Sequence, residues 1–114
     1  MDKNILIWLE DIRLAIVNIE SFLPEKRSFS EFQKDLKTRM AVERSIEIIG
    51  EAMNRILKQN PTIKITNARK IVDARNSIIH GYERIDQTVI WAIVIKHLPI
   101  LKTEVEKLLT EYNK

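Results

Sequence analysis

The segment Ala74-Arg75-Asn76-Ser77-Ile78-Ile79-His80-Gly81-Tyr82 places a fixed cation, an amide, an imidazole and a phenol within two or three turns of chain. These residue types together can handle a phosphate group. Arginine keeps its charge at any accessible pH and offers a planar fork of donors to phosphoryl oxygens, while histidine carries a proton that moves near neutrality. On a helix, Asn76 and His80 stand at i and i+4 and share a face. Arg75 and His80 are five residues apart and diverge by about 140°, so one straight helix does not easily aim both at one small ligand. Two devices resolve this. Gly81 is suited to a left-handed C-cap that ends the helix and swings Tyr82 back over its last turn. Alternatively, a second copy of the chain across a two-fold axis brings two copies of Arg75 and His80 to a common cleft.

Each of these residues also has an ordinary structural reading. His80 is equally placed to interact with the last carbonyls of its own helix, and Arg75 to pair on the surface with Asp73 or a neighbouring helix. Asn76 either orients His80, touches a nucleic-acid backbone, or is a plain polar helix residue. Tyr82 can stack on a base, bond a phosphate or pack over Ile78. Glu47 and Glu51 either line a cleft or pair locally, Glu51 being spaced for an ion pair with Arg55. Gly50 between them marks a close helix approach. His97 reads as structural. The basic residues of 34–44 and 55–70 form either a backbone-tracking patch or a solvated face.

The elements that must position these groups are helices. From Ile5, the residues Trp8, Leu9, Ile12, Ile16, Ile19 and Leu23 repeat at three and four, which predicts a helix over 3–23 stopped by Pro24. Ser28 and Glu31 make a capping box that opens a second helix of about thirty residues, thinning to polar residues over 37–44 and closed at Asn60-Pro61. Thr66 or Asn67 caps a short third helix to His80, with Ile71, Val72, Ile78 and Ala74 on its buried side. Asp86 caps the fourth, in which Pro99 should produce a kink and not a break. No strand signal interrupts this, and the connections are short, so the expected architecture is an all-α antiparallel four-helix bundle. Ile7, Leu6, Leu14 and Val17 lie off the main stripe of the first helix. They either widen the core contact or are covered by another chain, for which a symmetric homodimer is the economical form.

Bulk properties bound the function. A chain of 114 residues, 45% hydrophobic and 31% charged, is expected to form one domain over 1–114. It contains no cysteine, which fits a reducing compartment, and its two histidines are too few for a zinc site, so neither a metal nor another cofactor is expected. The N-terminus lacks the pattern of a secretory signal. The longest apolar run, Val89 to Ile95, is seven residues and falls far short of the roughly 20 needed to cross a bilayer, so the expectation is a cytoplasmic protein with no membrane partner. A formal charge of +3 is compatible with nucleic acid without requiring it.

The pattern Arg-x4-His-x-Tyr, with Asn after the Arg and Gly after the His, resembles the signature of the HEPN ribonucleases, in detail the HepT-like toxins of toxin-antitoxin pairs. Glu47-Ile48-Ile49-Gly50-Glu51-Ala52, Ile85-Asp86, Trp91 and Leu98-Pro99 with the Lys/Glu-rich tail also resemble that family, so nearly the whole chain is covered. The chain departs from many relatives at Ile65-Thr66-Asn67 and Asp73-Ala74, where a Pro-Trp pair and a Gly-Met stand in them. The resemblance implies a HEPN-like helical fold and a metal-independent endoribonuclease. In it Arg75 and His80 are catalytic and Asn76 and Tyr82 position the RNA. It also implies a partner, a cognate minimal nucleotidyltransferase antitoxin, and adenylylation of Tyr82 as a means of neutralisation. The alternative from another class is a non-catalytic helical dimer that binds a nucleotide or RNA, or docks the transferase.

Overall fold

The computed structural model describes residues 2–80 and 86–112. Helix α1 runs Lys3–Phe22, with Asp2 as its cap accepting from the Asn4 amide at 2.7 Å. Its stripe of Ile5, Leu9, Ile12, Ile16 and Ile19 is buried as the spacing requires. Leu23, placed at the end of this helix by its apolar spacing, is instead extended (φ −99°, ψ 142°). The ring of Pro24 disfavours the helical region for the residue before it.

The long second helix is corrected. It is two helices, α2 (Phe29–Lys34) and α3 (Leu36–Gln59), divided at Asp35. Asp35 leaves helical geometry (φ −96°, ψ 89°), and its carboxylate accepts from the Thr38 amide at 3.1 Å and the Thr38 hydroxyl at 2.6 Å. An aspartate competes well for nearby backbone donors and so starts a helix better than it continues one. These bonds hold the Asp35 carboxyl below the usual carboxylate range, through the Thr38 hydroxyl first and the amide second. The break lets α2 turn its rings onto Trp91, with centroids 6.1 Å from Phe29 and 5.0 Å from Phe32.

Helix α4 spans Ala68–His80. The expected cap at Thr66 or Asn67 takes another form. Asn67 has φ 61°, a left-handed conformation that asparagine tolerates, and its carbonyl accepts from the Ile71 amide. Thr66 is tied instead to Glu104, which accepts from its amide at 3.1 Å and its hydroxyl at 2.8 Å. Helix α5 (Gln87–Ala92) starts at the Asp86 cap, as expected, and continues through a π-helical turn, Ile93–His97, into α6 (Leu98–Tyr112). The helical run therefore passes Pro99 unbroken. The disturbance expected at Pro99 is taken up by this turn, where the Leu98 amide donates back to the Ile93 carbonyl. Wider winding before the ring leaves room for a residue that lacks an amide hydrogen and crowds the preceding turn.

The result is all-α, with α1 against α3 and α6, α3 against α4, and α2 bridging α3 and α5. No strand occurs among the described residues. Leu9, Ile12, Ile46, Ile49, Met53 and Leu101 fill the centre. No helix among the described residues is long and apolar enough to cross a membrane. Glu104→Ala is expected to release the α3–α4 connection without unfolding the bundle. Hydrogen exchange should show the Thr66 amide losing protection while the amides of Ile49 and Met53 keep theirs; unchanged protection at Thr66 would count against the tether.

Candidate functional site

Helix α4 carries the site because one side of it enters the core while its C-terminal turn leaves it. Ile71, Val72 and Ala74 are buried, Arg75 and Asn76 half-buried, and Ile79 and His80 exposed. Arg75 lies on the side that meets α3. A methyl group at Gly50 would overlap the Arg75 Cβ, stand 2.8 Å from its Cγ and 3.2 Å from the Ile71 carbonyl oxygen. Gly50 thus serves the close approach expected of it. The aliphatic stem of Arg75 lies across the glycine, and its guanidinium donates from Nη1 to the Asn76 Oδ1 at 2.9 Å. The partner is a neutral amide and not Asp73, and no carboxylate among the described residues pairs with Arg75.

His80 is the last residue of α4 and exposed. Because the helix stays regular to this point, the divergence of about 140° between Arg75 and His80 persists within one chain. Asn76 shares the i, i+4 face with His80 while accepting from Arg75, and so stands between the two. Gly81, Tyr82 and Ile85 lie outside the described residues, and with them the expected C-cap and the phenol of the motif.

The α3–α4 hairpin brings further groups alongside. With Gly50 opposite Arg75, residues before Gly50 on α3 run beside the C-terminal half of α4. Glu47 and Glu43 precede Gly50 by three and seven residues, and so share its side. Glu47 pairs with Arg44 at 3.2 Å and Glu51 with Arg55 at 2.8 Å, both exposed helix pairs of small energetic weight. Glu43 was not among the residues that the motif singles out. Its carboxyl is pushed up by burial, with Arg39 opposing and Glu47 adding to the shift. The Arg39 Nε is buried without a hydrogen-bond partner among the described residues. Only the antiparallel pairing brings Glu43 and Arg39 toward the motif, since more than thirty positions of sequence separate them from Arg75.

A groove of about 470 Å³ follows the other flank of α4, toward α5 and the π-helical turn. His97, read from sequence as structural, lines it, and its Nδ1 is 3.4 Å from the Asn67 side-chain amide. Burial, and then Lys70 and Lys96, hold the His97 ring below the ordinary histidine range.

Comparison with known proteins bears on what such a site does. A family model described as ribonuclease HepT-like matches residues 12–108. A Thermococcus cleftensis protein named as a probable ribonuclease HepT is 40% identical over 105 residues, covering 89% of this chain and 92% of its own. Two Methanocaldococcus jannaschii chains provisionally named RNases are 39% identical over 106 residues and 32% over 113, with coverage of 91% and 96% of this chain and 95% and 90% of theirs. No solved structure gives a significant match.

Two outcomes follow from this geometry. Gly50→Ala should lower stability by about 1–3 kcal/mol through overpacking, although alanine is the better helix former. Urea unfolding showing no loss would mean that α3 and α4 are further apart. For His97 the folded-state pKa is depressed, so the neutral ring favours the fold, and protonation works against it. Stability should fall as pH drops below the ordinary histidine range of about 6.5 and be level above it, and His97→Gln should flatten that acid-side decline in urea midpoints.

Proposed function

This chain belongs to the HepT-like ribonuclease family, and we propose that it is a metal-independent endoribonuclease in which Arg75 and His80 carry the reaction. The observation that supports this best is the setting of Arg75: a guanidinium held by its stem on Gly50 and bonded to a neutral amide. RNA supplies its own nucleophile. The 2′-oxygen attacks the adjacent phosphorus as its proton passes to a base, the bond from phosphorus to the 5′-oxygen breaks, and that oxygen takes a proton. The products are a 2′,3′-cyclic phosphate and a 5′-hydroxyl. His80 performs the acid-base work, and Arg75 stabilises the charge that grows on the phosphoryl oxygens. Asn76 and Tyr82 position the strand.

The angular divergence on α4 favours a two-fold homodimer in which the motif of each protomer completes a shared cleft. Ile79, inside the motif, is 45% exposed, and Ile7 and Leu14 on α1 are 55% and 46% exposed, so apolar surface is available for such an interface. The family resemblance further supports a toxin restrained by a cognate nucleotidyltransferase antitoxin in the cytoplasm. Adenylylation of Tyr82 would lay phosphate charge beside Arg75 and His80 and occupy the cleft.

His80→Ala and Arg75→Ala should each lower the single-turnover rate on labelled RNA by about 10²- to 10⁴-fold. Cleavage should persist in EDTA and leave cyclic phosphate ends. Binding without new ends in the wild type would favour a non-catalytic RNA-binding dimer, and activity lost to chelation would refute the metal-free route. Tyr82→Phe should escape neutralisation by the transferase; if it is neutralised as readily as wild type, this tyrosine is not the switch.

A further inference from the structure

The groove between α4 and the α5–π run takes no part in the reaction as described. Its floor is apolar, made by Ala74, Ala92 and Ile93, and its ends are polar, with Lys70 and His97 at one and Ser77 and Thr88 at the other. A concave apolar floor with a few placed polar groups is the usual form of a small-ligand site. The Asn67 side-chain amide meets the His97 ring at Nδ1, 3.4 Å away, and burial, then Lys70 and Lys96, favour the neutral form of that ring.

The direction of the groove identifies a ligand. Asp73 and Ser77 line it and precede His80 by seven and three residues, so the groove follows the side of α4 on which His80 stands. Lys70, ten residues before His80, lies about 15 Å from it along the helix axis, more than the width of one cleaved linkage. Asp73 in the wall repels phosphate from the middle of the groove. A phosphate is therefore expected at the Lys70 end, with sugar hydroxyls, which can donate, beside the carboxylate.

We propose that this groove is a subsite for a nucleotide of single-stranded RNA flanking the cleaved linkage: the base lies on the Ala74–Ala92–Ile93 floor, and Lys70, beside His97, holds a backbone phosphate. The polymer's identity rests on the ribonuclease reading, but the contact itself can be tested without cleavage. Lys70 is exposed, so Lys70→Gln leaves the fold intact. In a His80→Ala background, fluorescence anisotropy with a labelled octaribonucleotide should show affinity reduced roughly three- to ten-fold by Lys70→Gln. The slope of log K against log salt should become shallower by about 0.7, the share of one phosphate contact on a single strand. In the active protein, KM for the octanucleotide should rise by the same factor with kcat unchanged, while a dinucleotide is cleaved as by wild type.

An unchanged salt slope, or equal losses on the dinucleotide and octanucleotide, would overturn the subsite. If the wild type cuts no RNA, the ribonuclease reading fails, and the salt slope alone decides whether Lys70 touches the strand.

Discussion

Much of this molecule depends on how closely α3 can approach α4, and that distance is set where Gly50 meets Arg75 and the Ile71 carbonyl. A side chain at this point would have to displace backbone as well as the base of an arginine side chain, and neither yields cheaply in a packed interior. Because there is none, the buried face of α4, Ile71 and Val72, seats against the apolar side of α3 that includes Ile49 and Met53. The same contact sets the position of the cation. Arg75 leaves the interface along its aliphatic stem, with its charged end carried outward in the manner of long basic side chains at apolar surfaces.

The electrostatic arrangement around that cation is asymmetric. On α3 the exposed acids are engaged with their own helix, Glu47 with Arg44 and Glu51 with Arg55. Arg75 is bonded to the Asn76 side-chain oxygen, which orients the guanidinium without neutralising it. A carboxylate in that place would compete directly with an incoming phosphate, whereas an amide dipole leaves most of the field available. The Glu43 carboxyl on α3 is pushed up by burial, with Arg39 opposing and Glu47 adding to the shift. The family to which the chain belongs is described as ribonuclease HepT-like, and RNA is a polyanion.

Three departures from regular helix shape the remaining surface, and each has a local cause. Asp35 turns the chain because its carboxylate is better used capping α3 than continuing α2, and the turn delivers Phe29 and Phe32 to Trp91. The π-helical turn at Ile93–His97 precedes Pro99, where ordinary winding would crowd the ring. Asn67 adopts a left-handed conformation at the start of α4 and meets His97 through its side chain. The last two thus meet at the end of the groove that Lys70 and His97 line.

The sequence by itself determined the helices, their stripes and the motif. Periods of three and four residues specify one buried face per helix, Pro24 and Pro61 end two of them, and Arg75, Asn76 and His80 share one short helix whatever surrounds it. Gly50 as a close approach was also legible, because a glycine inside a long apolar helix pattern has few other uses. Asp35 was not, since an aspartate in a polar stretch is as common on a solvated helix face as at a break, and the rings of α2 decide between them only after Trp91 is in place. The same holds for Glu43, Arg39 and His97. Their significance lies in groups distant along the chain, which only antiparallel packing of α3 on α4 and of α5 beside α2 brings near, because burial and Coulomb interaction depend on separation in space and not in sequence.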